Sequence, residues 1–424
     1  MVTALLVVGL IVAVFVGYNI GGSSTGVAFG PAVGSRIIGK VGAAALFTAF
    51  ALWGGWTVGR NVIETMSNGI VPASQFTLVT SIVVLFFAGF ALLISNLFGV
   101  PASTSMTAVG AIVGLGLASN TLDESLMFTI VSAWIVAPLS AFIAGLVIGR
   151  YLYPHLDARF SFSRIEGGLL RVDRSGSVPR PTLGGSVGKR EAGGAASVLI
   201  IACYMGFSAG ASNAANAVAP LIGNGSITAS EGILLAIGAI GLGGFTIARR
   251  TLDTISDGIT DLPILAALIV SLIGATIITI LSRLGIPASL AVSTTSCIIG
   301  LGWGRASRAV TVAEVADTAL QGEQTPAAGL SSGALIAETS ESEMPPGPTI
   351  GDVAEGEVPD PNTVGDGGEP GQVPPIGEES VEELAAENLF DPAATSRIVL
   401  LWVLSPTLSA VGSFLIFEFV LHVG

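Results

Sequence analysis

Two glycine-rich runs contain the polar residues of this chain that could bind a ligand. They extend from Gly17 to Ser35 and from Phe207 to Pro220. Glycine allows a backbone to break and to approach a ligand closely, and a newly started helix offers unpaired N–H groups with partial positive charge. Ser, Thr and Asn side chains add donors there without adding charge. Each run therefore predicts the end of one helix and the start of another, with an anion as the preferred ligand.

Two downstream patches repeat this chemistry. Pro101 and Pro287 are suited to opening a helix, and hydroxyl side chains follow each of them within an apolar stretch. Four helix starts would then converge on one oxyanion. The predicted ligands are Ser23, Ser24, Thr25, Ser103, Thr104, Ser212, Asn213, Asn216, Ser293 and Thr294, and the predicted helix breaks are Gly21, Gly22 and Gly210. The alternative interpretation is that the hydroxyls bond to the preceding helical turn and the glycines allow tight helix packing.

These segments belong to an internal duplication. The stretches Gly59–Ile70 and Ala248–Ile259 are versions of one another, and each lies between a glycine-rich run and a proline-led patch. A duplication in a strongly apolar chain is typical of a membrane transporter whose site lies between the halves. Glu64 and Asp253 occupy equivalent positions in the two copies, so they are candidates for coupling. A solvated or Arg-paired acid near the end of a span is the alternative for both.

The composition indicates an integral membrane protein. Hydrophobic residues make up 51% and charged residues 11%, and the apolar residues fall in blocks of about 20. Only helices satisfy the backbone within such blocks. The predicted fold is all-α, with about ten transmembrane spans in two inverted-topology repeats that contain broken or re-entrant helices. The spans are 1–20, 41–58, 76–98, 101–118, 125–149, 194–210, 230–248, 262–282, 286–303 and 397–421.

The charge distribution predicts the orientation. Net charge is −13, but residues 309–396 contain 18 Asp and Glu and no Lys or Arg. With residues 150–193 in the cytoplasm, 15 of the 17 basic residues lie inside, and only Arg60 and Arg283 lie outside. The positive-inside rule then predicts a multi-pass plasma-membrane protein with both termini outside. Because five spans per half is an odd number, the second half enters the membrane from the opposite side.

The organisation along the chain follows from these features. The predicted parts are 1–149, the first membrane repeat; 150–193, a basic cytoplasmic loop; 194–310, the main part of the second repeat; 311–396, an acidic, disordered cytoplasmic insertion; and 397–421, the last span of the second repeat. The acidic insertion has too few apolar residues to form a core.

No arrangement of residues suggests an enzyme. The two histidines, His155 and His422, are not near a plausible nucleophile or metal partner in the sequence. Cys203 and Cys297 both lie in apolar spans, where lone thiols are usually packing residues. We therefore expect no catalytic residue, no metal site and no resident cofactor.

The motifs together resemble those of the inorganic phosphate transporters of the PiT type. Asn19–Ser35 aligns without gaps with the first signature of that family, and Phe207–Ala217 aligns with the second. Residues 101–105 and 287–295 resemble its paired Pro-Val-Ser-Thr-Thr motifs, and residues 64–66 and 253–255 resemble its Glu-Thr-Ile segments. The resemblance covers both membrane halves and omits the acidic insertion.

This chain departs from the family pattern at the signature aspartates. Where the family has Asn-Asp, the chain has Ser23-Ser24 and Ser212-Asn213, and the later Asn is Val27 in the first run. In the family these aspartates are implicated in cation coupling and in handling the substrate proton. The coupling cation, sodium or a proton, is therefore left open. Because the site lacks these carboxylates, it also favours a fully deprotonated oxyanion such as sulfate more than the site of an ordinary family member would.

The resemblance implies a secondary transporter that moves inorganic phosphate by alternating access at the repeat interface. A sulfate or other oxyanion permease of the same fold is one alternative. A transport-inactive membrane sensor or scaffold is another. The expected partners are phosphate or sulfate and the lipid bilayer, with no nucleic acid, and family members are often described as dimers, which implies a homodimer.

Overall fold

Helices account for nearly all of the residues that the structure describes. The computed structural model describes residues 2–35, 37–97, 103–159, 170–173, 180–183, 189–246, 264–308 and 392–421. The helices are α1 (Val2–Gly34), α2 (Lys40–Thr57), α3 (Gly59–Glu64), α4 (Leu78–Leu97), α5 (Thr104–Ala118), α6 (Glu124–Val147), α7 (Tyr153–Arg159), α8 (Lys189–Gly223), α9 (Ala229–Thr246), α10 (Ile264–Arg283), α11 (Leu290–Ala306) and α12 (Pro392–Phe419). Two π-helical turns, Thr65–Gly69 and Ile148–Leu152, follow α3 and α6, and a 3₁₀ turn spans Ala73–Gln75.

The helices coincide with the predicted apolar blocks, but not all of them can cross a bilayer. Within the described ranges, seven helices are long and apolar enough, and α2 with α3 makes an eighth candidate that is bent by 62°. By contrast, α5 has 15 residues and α11 has 17. At about 1.5 Å per residue these two are shorter than a hydrocarbon core of roughly 30 Å. The all-α, multi-pass prediction is confirmed, and the number of ten complete spans is corrected.

The two short helices, α5 and α11, begin inside the protein, each as the returning arm of a helical hairpin. Helix α4 runs alongside α1, with Gly89 facing Phe15, and near its end Asn96 Nδ2 donates to Asn19 Oδ1 at 3.1 Å. Since Asn19 lies near the middle of α1, α4 ends at the depth of that midpoint. Helix α5 then begins with Thr104, whose hydroxyl reaches α8. The end of α4 and the start of α5, which together we call the first hairpin, therefore both lie inside the protein.

The second hairpin, α10 with α11, has the same form. Ser208 on α8 donates to the carbonyl of Ala275 on α10 at 3.0 Å. One turn further along α8, Ser212 donates to the carbonyl of Ala288, which lies between α10 and α11, at 2.7 Å. The connection between these two helices therefore also lies beside the interior of α8.

Helix pairing is exchanged between the repeats. Helix α1 packs on α9 and α2 on α8, while α5 packs on α12 and α6 on α11. A Cβ at Gly21 would overlap the Ile240 carbonyl, and a Cβ at Gly210 would overlap the Ala51 carbonyl. Each repeat thus presents its glycine to the other repeat at an equivalent position. This reciprocity supports the predicted duplication in three dimensions.

The predicted helix breaks are wrong. Helices α1 and α8 continue without interruption through both glycine-rich runs. Gly21, Gly22 and Gly210 are buried within them, and Gly21 and Gly210 are needed because backbone carbonyls of α9 and α2 approach too closely for a side chain. The glycines therefore serve helix packing. The four predicted helix starts reduce to two, those of α5 and α11.

The regions outside the membrane helices are described only in part. Helical structure continues past residue 149 to Arg159, and β1 (Leu170–Asp173) pairs antiparallel with β2 (Arg180–Leu183), with Leu170 opposite Leu183. Residues 311–391 of the predicted acidic insertion lie outside the described residues. Its last residues, 392–396, belong to the start of α12.

Candidate functional site

A small polar cavity lies where four helices from both repeats meet. Its volume is about 20 Å³, and it is lined by Ser23, Ser24, Val27, Thr104, Asn213, Ser289, Leu290 and Ala291. These residues come from α1, α5, α8 and the start of α11. A cavity of this size holds about one water molecule. A tetrahedral anion would therefore require the walls to move apart.

Two helix N-termini face this cavity. Helix α5 begins after Ser103, and α11 begins after Ser289, whose Oγ accepts a hydrogen bond from the Val292 N–H at 3.4 Å. The cavity is lined by Thr104 in the first turn of α5 and by Leu290 and Ala291 in the first turn of α11. The first N–H groups of a helix have no partner within it and carry partial positive charge. Together the two ends favour an anion.

Asn213 connects the polar walls of the cavity. Its Oδ1 accepts hydrogen bonds from Thr104 Oγ1 at 2.7 Å and from Asn216 Nδ2 at 3.2 Å. Its Nδ2 donates to Ser24 Oγ at 3.3 Å. One side chain on α8 thus joins the start of α5 to α1. Ser24 accepts in this contact, so its own hydrogen is available to a ligand.

A directional chain of hydrogen bonds supports this arrangement. Asn216 Nδ2 donates to Ser105 Oγ at 3.2 Å, and Ser212 Oγ donates to the Ala288 carbonyl at 2.7 Å. Because a serine hydroxyl has one hydrogen, the 3.1 Å contact between Ser105 and Ser212 must have Ser105 as donor. Neither hydroxyl then has a hydrogen left for a ligand. Ser105 and Ser212 hold the two hairpins together beside the cavity.

The structure brings some predicted ligands to the cavity and leaves others behind it. Ser23, Ser24, Thr104 and Asn213 line the cavity. The hydroxyls of Thr25 and Thr294 instead bond to carbonyls of their own preceding turns, those of Gly21 and Leu290, each at 2.9 Å. The remaining predicted ligands are buried and do not line the cavity: Ser103, Ser212, Asn216 and Ser293.

Two buried atoms behind the cavity have no hydrogen-bond partner. They are Ser103 Oγ and Asn216 Oδ1. Both residues are at most 2% exposed, with Ser103 at 0% and Asn216 at 1%. Leaving a buried polar atom unpaired is costly, so these two positions suit a state in which a ligand or a rearranged wall supplies the partner.

Sequence reasoning missed Ser289. The prediction placed the second patch at Ser293 and Thr294, one turn later in α11. The available signal was the identical Pro-Ala-Ser at 101–103 and at 287–289. In both hairpins the serine of this triplet precedes the first residue of the returning helix.

In the part of the chain that the structure describes, no ionisable side chain lines the cavity. Glu64 is exposed at the end of α3 and does not reach it, and Asp253 lies outside the described residues. Among the residues that the structure describes, no cluster of three or more His, Cys, Asp or Glu could hold a metal ion. The described lining thus offers a ligand neutral hydrogen-bonding groups and two helix ends.

Comparison with known proteins identifies the family. The profile of the phosphate transporter family matches residues 20–166 and 186–331, which include the second glycine-rich run, all but the first three residues of the first run, and both hairpins. The chain belongs to the phosphate transporter family. It is a multi-pass membrane protein of transporter type, and the family is not one of enzymes.

Members of the phosphate transporter family with different named substrates resemble this chain. The sulfate permease CysP of Bacillus subtilis is 32% identical over 314 residues, which cover 74% of this chain and 81% of that protein. A protein of Haemophilus influenzae, provisionally named a phosphate permease, is 24% identical over 360 residues, which cover 69% of this chain and 86% of its own.

A solved structure shares the fold of this family member. The chain described as the sodium-dependent phosphate transporter superposes with a TM-score of 0.56 and 20% sequence identity, covering 75% of this chain and 94% of that one. This similarity confirms the fold that the sequence predicted.

Proposed function

We propose that this protein is a secondary transporter that carries inorganic phosphate across the plasma membrane by alternating access around the small polar cavity. The observation that carries the proposal is the meeting of two helix N-termini, one from each repeat, at a cavity lined by neutral donors. Helix ends attract an anion, and Ser24 and Asn213 offer further donors. The family to which the chain belongs is in keeping with this substrate.

The exchanged helix pairing supports alternating access. Each repeat contributes one hairpin, and both hairpins begin their returning helices at the cavity. Two repeats of opposite topology can adopt each other's arrangement, which opens the same site alternately to the two sides. We place both termini outside, because that orientation leaves 15 of the 17 basic residues in the cytoplasm.

Uptake into proteoliposomes tests this function. Purified protein would be reconstituted, and uptake of radiolabelled phosphate would be measured with a sodium gradient, with a proton gradient and with neither. We expect phosphate uptake well above that of empty vesicles, and the three conditions identify the coupling cation. The same assay would be run with radiolabelled sulfate. If neither phosphate nor sulfate were taken up under any of the three conditions, a transport function would be refuted.

Sulfate is the second candidate substrate, and a specific observation favours it. The described residues that line the cavity include no ionisable side chain to accept a hydrogen bond from protonated phosphate or to repel a dianion. Sulfate has no proton to donate at neutral pH, so a neutral cavity accepts it without penalty. The 32% identity to a sulfate permease fits the same substrate. Competition between phosphate and sulfate uptake across pH distinguishes the two, since only phosphate changes its protonation near neutrality.

A further inference from the structure

The connection between α10 and α11 closes one side of the cavity. We call residues 284–289 the second tip. Helix α10 ends at Arg283, Gly285 follows with φ +76°, and the Ile286 N–H donates to the Leu281 carbonyl at 2.9 Å. This is the left-handed helix ending that glycine favours. Ser289, at the other end of the tip, lines the cavity.

Three side chains from three different helices donate hydrogen bonds to backbone carbonyls of the second tip and of Arg283, the residue just before it. Asn61 Nδ2 on α3 donates to the Arg283 carbonyl at 2.7 Å. Trp134 Nε1 on α6 donates to the Pro287 carbonyl at 2.8 Å. Ser212 on α8 holds the next carbonyl, that of Ala288. A connection pinned at three points along seven residues has one defined position relative to the cavity.

The repeated motif supplies the outer part of this contact. Asn61 and Thr65 both belong to the stretch Gly59–Ile70, whose role the cavity does not explain. A Cβ at Gly285 would lie 2.8 Å from Thr65 Oγ1 and 3.2 Å from the Asn61 carbonyl oxygen. Helix α3 and its π-helical turn are therefore packed directly on the second tip. The 62° bend between α2 and α3 makes this packing possible.

The tip separates the cavity from an exposed surface. Ala288 and Ser289 are 2% and 5% exposed, whereas Leu284 is 68% exposed, and Asn61 is also exposed. Arg283 and Arg60, the two basic residues that the charge bias places outside, flank this contact. A ligand that enters from the α3 side must displace the tip before it reaches Ser289.

We propose that Asn61 and Trp134 are positioning residues that latch the second tip closed, and that release of this latch opens the cavity to the α3 side. This inference rests on the proposed function for its meaning, since a gate requires a transported ligand. The latch itself is a property of the protein that can be measured without transport. In the latched state the tip holds the N-terminus of α11 at the cavity.

Cysteine accessibility provides the test. The native cysteines, Cys203 and Cys297, are both buried and would be replaced by alanine. A reporter would then be placed in the cavity wall as Ala291→Cys, and a separate exposed control outside the second tip, just after α12, as Val420→Cys, since Val420 is 63% exposed. The rate at which a hydrophilic maleimide labels the introduced cysteine would be measured in purified protein, with Asn61 intact and with Asn61→Ala. The matched control is Asn68→Ala, in the same motif, which removes the hydrogen bond that Asn68 Oδ1 accepts from the Ala73 N–H at 3.1 Å and leaves the contacts of the second tip in place.

We expect Asn61→Ala to speed labelling of the cavity reporter about fivefold, the change in open fraction that loss of one ordinary hydrogen bond supports. Trp134→Phe, which keeps an aromatic side chain of smaller size and removes the N–H, should act in the same direction. The exposed control, Val420→Cys, should be labelled at the same rate in all of these backgrounds. If the reporter were labelled in Asn61→Ala and in Trp134→Phe at the same rate as in Asn68→Ala, the latch proposal would be wrong.

Added phosphate separates this inference from the proposed function. With the latch intact or broken, saturating phosphate should slow labelling of the Ala291→Cys reporter if the cavity binds it. Faster labelling in Asn61→Ala without protection by phosphate or sulfate would support the latch and contradict the oxyanion site. If phosphate or sulfate slowed labelling but the latch variants did not change its rate, the oxyanion site would be supported and the latch contradicted.

Discussion

Asn213 Nδ2 donates a 3.3 Å hydrogen bond to Ser24 Oγ, and these two residues occupy the same position in the two repeats. Each lies three residues after the glycine that packs against a carbonyl of the other repeat, Gly210 and Gly21. Equivalent residues of two repeats touch only near the axis that relates the repeats. The cavity beside them therefore lies on that axis, where an inverted pair of repeats can expose it equally to either side.

This contact leads to a prediction about charge. Asn213→Asp keeps the size of the side chain and adds a carboxylate, which can accept a hydrogen bond from protonated phosphate but not from sulfate. We expect the ratio of phosphate to sulfate uptake to rise about tenfold. The reason is that protonated phosphate can donate a charge-assisted hydrogen bond to the new carboxylate, whereas sulfate has no proton to donate. Dual-label uptake at neutral pH measures this ratio.

The control for this change lies just beyond the end of the same helix. Asn224→Asp adds the same charge next to Ser81, to which Asn224 Nδ2 donates at 2.8 Å, and should leave the ratio unchanged. An equal change in the uptake of both anions in Asn213→Asp would mean that this residue does not contact the substrate.

A second prediction concerns the support behind the cavity. Asn216→Leu keeps the branched shape and the number of side-chain heavy atoms but removes the donor to Ser105 Oγ and Asn213 Oδ1. Unpaired buried polar groups cost about 1–3 kcal/mol, so we expect uptake to fall at least about tenfold while expression and monodispersity are retained. Near-normal transport in a well-folded Asn216→Leu protein would remove this part of α8 from the site.

A third prediction distinguishes the two serines of α11. Ser289 caps the helix and lines the cavity, whereas Ser293 is buried one turn further on. Loss of an N-cap serine costs about 1 kcal/mol, so Ser289→Ala should raise the KM for the anion about fivefold. Ser293→Ala should leave KM near that of the unchanged protein. Kinetics of initial uptake compare the two, and the opposite order would favour the position predicted from sequence.

The parts of the fold that sequence predicted are those fixed by apolar length. Blocks of apolar residues correspond to helices in both repeats because a membrane leaves the backbone no other conformation. The convergence of Ser24, Thr104 and Asn213 was also predicted, since the duplication places equivalent polar segments at equivalent depths. These inferences need only the pattern along one chain.

The errors arose where the same composition serves two structures. Glycine next to hydroxyl residues suits a helix break and also suits close helix packing. The choice for Gly21 is made by the Ile240 carbonyl, which lies in the other repeat and cannot be seen from the local sequence. The ligand serine of the second patch was misassigned for a similar reason, because Ser289 and Ser293 both follow Pro287 within the same patch, and the local sequence does not show which of them faces the cavity.

The last prediction tests this packing role directly. Gly21→Ala and Gly210→Ala should each destabilise the protein strongly, because the added methyl group would overlap the carbonyls of Ile240 and Ala51 and force α1 from α9 or α2 from α8. Gly238→Ala is the matched control, since a Cβ there meets nothing within 4 Å and alanine favours a helix over glycine. Thermal unfolding of the purified proteins in detergent should show a Tm lowered by several degrees for the first two and unchanged or raised for the third. If Gly21→Ala and Gly210→Ala were as stable as Gly238→Ala, the glycines would not be at a tight helix contact, and the continuous paths of α1 and α8 through the site would have to be reconsidered.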